Sequence, residues 1–150
     1  MRAHLALMST AGQAIAEIKS EFALLPDWEE RISYVIELGR GLAPLTDAER
    51  NHSSKVRGCT SQVWLVSERR PESADLLYFR GDSDAHLVRG EIALLLRIFS
   101  GRTPADILSV DPRALFEELG LKEALTLQRS NGLFSMMHRM QAEARAAAQA

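Results

Sequence analysis

One cysteine, Cys59, stands in the stretch VRGCTSQVWLV, where a polar irregular segment meets an apolar run. A thiol acts as a nucleophile only as its thiolate. Gly58 before the cysteine and Thr60 and Ser61 after it are turn formers, which puts Cys59 at a loop tip. Lys55 and Arg57 lie close enough in sequence to favour a thiolate, and His52 offers either a base or a solvated ring. On residue types alone two readings stay open: a reactive thiol, or a lone cysteine packed as a small hydrophobe. A second cluster, Gly81-Asp82-Ser83-Asp84-Ala85-His86, also reads in two ways. Its Asp and Ser residues are good helix caps. An antiparallel hairpin would equally bring Asp82 and Asp84 beside Cys59, where carboxylates raise a thiol's pKa and serve as gates or docking groups.

Other chemistries are excluded by what the sequence omits. With one Cys, zinc sites of four cysteines or of two cysteines and two histidines cannot form, and His4, His52, His86 and His138 lack ligand spacing. There is no phosphate-cradling glycine loop, no H-E-x-x-H and no G-x-S-x-G elbow. Eighteen Lys and Arg against twenty Asp and Glu leave a net charge of -2, without the basic footprint of a nucleic-acid or membrane binder. A Cys59-dependent hydrolase or transferase with His52 or His86 as base is the second functional reading, although no orienting third residue is legible. A binding module in which Cys59 is incidental is the third.

The elements that must position Cys59 follow from periodicity. Ile15, Ile18, Phe22 and Leu25 predict a helix over 11–25, stopped by Pro26. Asp27, with Glu30 three residues on, caps a second helix carrying Trp28, Ile32, Val35 and Ile36, which ends at Gly39–Gly41. Residues 43–55 read as an irregular connection. Gln62–Glu68 and Asp75–Arg80 read as an antiparallel hairpin around an RRPES turn, with Lys55–Gly58 as a short third strand. From Asp84 the helical pattern returns through Val88, Ile92, Leu95, Leu96 and Phe99. Two short helices follow, from Thr103-Pro104 and from Asp111-Pro112 to Gly120. A last helix starts near Asn131 with Leu133, Met137, Met140 and Ala144 inward; Trp28 and Met136, Met137 and Met140 are read as core. Helices on a small antiparallel sheet make an α+β domain, and 150 residues leave room for one, 1–150, with 1–10 and about 145–150 peripheral.

No apolar run approaches the ~20 residues that cross a bilayer. Leu5–Met8, behind Arg2, is cut by Ser9 and Thr10, short of the ~7–15 residues of a signal-peptide core, so a cytoplasmic protein is expected, with Met8 an alternative start.

Five blocks in order, WEERISYVIELG (28–39), VRGCTSQVWLV (56–66), GDSDAHLVRGEIALLL (81–96), TPADIL (103–108) and RSNGLFSMM (129–137), resemble the SufE family of cysteine desulfuration proteins. The resemblance covers roughly residues 25–140. It implies a three-stranded antiparallel sheet packed with helices, as in IscU-type scaffold proteins. It implies that Cys59 accepts sulfur from the persulfide of a pyridoxal-phosphate cysteine desulfurase, SufS-like or CsdA-like, stimulates that enzyme, and delivers the sulfur to iron–sulfur assembly on a SufBCD-like scaffold. Pyridoxal phosphate would belong to the desulfurase, with no cofactor or metal on this chain and no independent turnover. Arg129 matches an arginine near the acceptor loop, and Asp84 a position that affects how the loop is held. Gly58, Ser61, Gln62 and His52 are the further supporting candidates. The family's cysteine is usually turned into an apolar cavity in the free protein, so the loop would swing out on binding. Nucleic acid and membrane are not expected partners, and a homodimer stays an open alternative.

Overall fold

The computed structural model describes residues 10–149; the apolar stretch Leu5–Met8, the alternative start Met8 and His4 lie outside them. The first helix, α1 (Ala11–Ala23), opens on a reciprocal capping box between Thr10 and Gln13. Helix α2 (Trp28–Arg40) is capped by Asp27, whose carboxylate accepts the Glu30 N–H at 2.9 Å. Strands β1 (Val63–Arg70) and β2 (Ser73–Ser83) form an antiparallel hairpin, followed by α3 (His86–Phe99). Two short helices, α4 (Pro104–Leu108) and α5 (Pro112–Glu118), each begin with proline in the first turn behind a Thr or Asp cap. A 3-10 turn at Leu121–Glu123 leads into the long α6 (Leu127–Gln149).

The core centres on α3, whose Ile92, Leu95, Ile98 and Phe99 are almost wholly removed from water, together with Met136, Met137 and Met140 of α6. Helices α2 and α3 cross at two glycines. A Cβ on Gly90 would stand 2.1 Å from the Val35 carbonyl oxygen, and one on Gly39 would stand 2.5 Å from the Gly90 nitrogen. Only the absence of both side chains lets the backbones meet.

The α+β architecture is as expected, with helices packed on an antiparallel sheet, but the sheet among the described residues has two strands rather than three. The expected third strand at Lys55–Gly58 is reduced to one bridge, Lys55 opposite Trp64, held by Val56 N–H to the Val63 oxygen and Leu65 N–H to the Ser54 oxygen, both 2.8 Å. The chain cannot continue along β1 because it turns at Gly58 towards α6. The hairpin itself is longer than its apolar stretches suggest. Arg69 and Arg70 stay extended because cross-strand and helix partners cover them: the Arg70 guanidinium lies 3.7 Å from the Tyr78 ring centroid, and Arg69 donates to the Ala147 carbonyl at 2.7 Å. The last helix likewise starts four residues earlier than expected, at Leu127, because the Thr126 hydroxyl accepts the Arg129 N–H at 3.3 Å and acts as the cap.

Candidate functional site

Cys59 reaches its place through two contacts with α6. Gly58 adopts φ 87°, in the left-handed region, and a Cβ there would come within 2.5 Å of the Ser135 hydroxyl. One residue later the Cys59 thiol lies on the α6 backbone and donates to the Gly132 carbonyl at 3.6 Å. That approach does not depend on a glycine at 132, since a Cβ there would sit an ordinary 3.7 Å from the sulfur. The thiol is half-buried. It faces a cavity of about 290 Å³. Thr60 and Ser61 of the loop, Val63 of β1, Val88 and Glu91 of α3, and Thr126, Gln128, Arg129 and Met136 beside or on α6 complete its wall. The wall therefore mixes apolar side chains with hydroxyls, an amide, a carboxylate and a guanidinium.

The SufE Fe-S metabolism associated domain matches residues 16–144, a span that contains the cysteine loop, the hairpin and the whole cavity. The chain belongs to the SufE family. It is 46% identical over 132 residues to an uncharacterised SufE-like protein of Rhizobium meliloti, covering 87% of this chain and 94% of that protein. A second SufE-like protein, from Rhizobium etli, is 45% identical over 139 residues, covering 91% of this chain and 93% of the other. The solution structure of a hypothetical protein from Thermus thermophilus aligns with a TM-score of 0.73 over 95% of this chain and all of that one; at 24% identity this is a likeness of fold. Membership of SufE places the chain in iron–sulfur metabolism. Among the described residues no helix is long and apolar enough to cross a membrane, and no group of three metal-ligating side chains is present.

Within this SufE domain the supporting candidates separate. Ser61 and Arg129 share the cavity wall with Cys59. Asp84 is exposed and does not cap α3, whose N-cap is Ala85. Instead its carboxylate accepts the Gln62 N–H at 3.0 Å, the Asp84 N–H returns to the Gln62 carbonyl at 3.4 Å, and the Ser83 hydroxyl donates to that same carbonyl at 2.7 Å. Gln62, three residues after Cys59 and just before β1, is thereby pinned to the end of β2. His52 lies outside the cavity against Arg57, whose guanidinium is 2.9 and 3.1 Å from the two ring nitrogens. Lys55 reaches towards the Gln62 side chain at 3.5 Å. His86 is exposed at the start of α3. None of these lines the cavity.

Asp82 turns away from the sulfur. It is buried and accepts from Leu45 N–H at 3.0 Å, Arg50 at 3.2 Å, Ser83 N–H at 2.8 Å and Arg89, which ties the 43–55 connection to the hairpin. The carboxylate that does face Cys59 is Glu91, only 5% exposed. Burial pushes its pKa up to about 7, against the opposing pull of Arg129. Burial first, and then the Glu91 charge, push the Cys59 thiol above its ordinary range. Sequence reasoning missed Glu91, although a signal exists: it occupies the core stripe of α3, between Val88 and Leu95 at i+3 and i−4, where a charge has no solvent.

Proposed function

We propose that this protein is a sulfur acceptor and carrier that takes the terminal sulfur from a cysteine desulfurase onto Cys59, stimulates that enzyme, and hands the sulfur to iron–sulfur cluster assembly. The supporting observation is the setting of the one thiol: it sits on a glycine-turned loop and faces a cavity with room for an added sulfur atom. In the acceptor step the Cys59 thiolate attacks the outer sulfur of the desulfurase persulfide. A new sulfur–sulfur bond forms, the old one breaks, and the desulfurase cysteine leaves as its thiolate. The outer sulfur keeps its oxidation level, so no oxidant or metal takes part. Pyridoxal phosphate acts on the desulfurase, before the sulfur reaches this chain.

Inside the cavity Cys59 is held as a neutral thiol by burial and by Glu91. Attack therefore requires the loop to leave, and Gly58 is where it turns. Asp84, through Gln62, fixes the far end of that loop. The deciding experiment is intact-protein mass spectrometry without reductant, after incubation with a cysteine desulfurase and L-cysteine. A gain of one sulfur atom, lost on treatment with dithiothreitol and missing in Cys59→Ser, is the expected result. A gain that survives in Cys59→Ser, or no gain with a cognate desulfurase, would remove the carrier reading. Iodoacetamide labelling of Cys59 should also be slow alone and faster with the desulfurase present; equal rates would contradict the shielded loop.

A further inference from the structure

Glu91 faces Cys59, yet the acceptor step gives the proton of its own carboxyl no role. Its Oε2 is buried without a hydrogen-bond partner. On one side of it lies the Cys59 cavity and on the other an apolar void of about 20 Å³ walled by residues such as Trp28, Val35, Leu95 and Met137. A carboxylate in that place loses hydration without gaining a hydrogen-bonded partner, a cost that a structural role does not repay. The groups that face it are few. Cys59 comes from the loop and Arg129 from α6, while α2 and the segment before α6 contribute apolar side chains. Asp82 and Arg89 are paired with each other, and Arg89 leaves α3 about 200° around the axis from Glu91. The Glu21–Arg97 pair is closed further along the helix.

We propose that Glu91 is the proton-holding partner of the Cys59 sulfur. The two share one negative charge in the cavity: it rests on the carboxylate while Cys59 is a thiol, and on the outer sulfur once Cys59 is loaded, with Arg129 balancing it in both states. The proposal rests on the carrier reading and adds a step to it. A sulfur–sulfur bond makes the terminal S–H more acidic than a thiol, so a loaded Cys59 that swings back transfers its proton to Glu91. The carboxylate becomes a carboxylic acid, the perthiol becomes a perthiolate, and neither electrons nor net charge change. Protonated Glu91 then has an O–H to donate to the anionic sulfur, which satisfies the Oε2 that is otherwise buried without a partner. When the loop moves out, Glu91 is released to ionise, and its charge disfavours return of an anionic sulfur. The geometry thus makes sulfur loading and proton uptake by Glu91 one event.

Two measurements test this, neither of which needs the desulfurase. The first is the pH dependence of Cys59 alkylation by iodoacetamide in the wild-type chain and in Glu91→Gln. The wild-type logarithmic rate should rise with pH, flatten through the range in which Glu91 ionises, and rise again. In Glu91→Gln the flattening should vanish, and the rate above that range should be roughly three- to tenfold higher, the gain in thiolate when a neighbouring charge is removed. Superimposable profiles would overturn the proposal. The second keeps the wild-type protein, so it stands even if the variant does not fold: carbon-13 NMR of the Glu91 carboxyl before and after Cys59 is loaded with inorganic polysulfide. The midpoint should move to higher pH on loading. An unchanged midpoint rejects the shared charge and leaves sulfur acceptance intact, whereas failure of the desulfurase to load Cys59 rejects the carrier reading and leaves the Glu91 titration readable.

Discussion

Replacing Glu91 by Gln should make the protein more stable at neutral pH and remove one component of its pH dependence. The carboxyl binds its proton at about 7 in the folded chain and near the ordinary 4.5 once unfolded. Because the folded value is the higher one, the folded state holds the extra proton between those limits, and stability falls as pH rises through them. A difference of this size is worth about 3 kcal/mol, fully developed above neutrality and absent in acid. Glu21 and Glu49 shift the other way, down to about 2 through hydrogen bonds from Arg97 and Arg80, and both are ionised throughout this window. They shape acid unfolding and leave the Glu91 range clear. Glutamine keeps the size of the side chain but not its charge, so any cost of burying the amide is the same at every pH. Urea unfolding followed by fluorescence of Trp28 and Trp64, at steps from about pH 5 to about pH 8, gives the curves. The wild-type stability should fall relative to Glu91→Gln by up to about 3 kcal/mol across the interval. Parallel curves would refute the reasoning, since they would mean that Glu91 reaches solvent or a partner at no cost.

Gly58→Ala places a Cβ 2.5 Å from the Ser135 hydroxyl in a left-handed backbone, so it should cost about 1–2 kcal/mol and loosen the loop. Cys59 alkylation should then be faster than in the wild type; an unaltered rate would show that Gly58 does not govern exposure of the thiol. Asp82→Asn leaves Arg50 and Arg89 facing a neutral amide. Because both arginines keep partial solvent contact, the loss should be about 3 kcal/mol, near the low end for a broken buried pair, and calorimetry showing no change would disprove the staple. Gly90→Ala drives a methyl group to 2.1 Å from the Val35 carbonyl and should cost about 3 kcal/mol or more by separating α2 from α3. A wild-type urea midpoint for this variant would show that the crossing can relax.

The features readable along the chain alone are local ones. Cys59 behind a glycine, the Asp27 and Pro112 helix starts and the apolar stripes of α2, α3 and α6 depend on turn chemistry and on the 3.6-residue period, which act between near neighbours. The ends of elements were legible only where a cap or proline marks them. The start at Leu127 rests on a local cap, Thr126, that the apolar period does not mark, whereas Arg69 and Arg70 joined regular structure because partners across the hairpin and on α6 cover them. The third strand failed for the same kind of reason, since α6 draws the chain away at Gly58. Apart from Arg129, which the family resemblance places near the loop, the electrostatics of the thiol belonged to the tertiary structure. Lys55, Arg57, Asp82 and Asp84 are the charged residues that sequence proximity and hairpin geometry suggest, yet each is engaged by another partner. Glu91 and Arg129 face the cavity because α3 packs on β2 while the start of α6 lies beside the cysteine loop. Burial then decides the chemistry, for a carboxylate and a thiol that would titrate normally in water are both pushed towards their protonated forms where water is scarce.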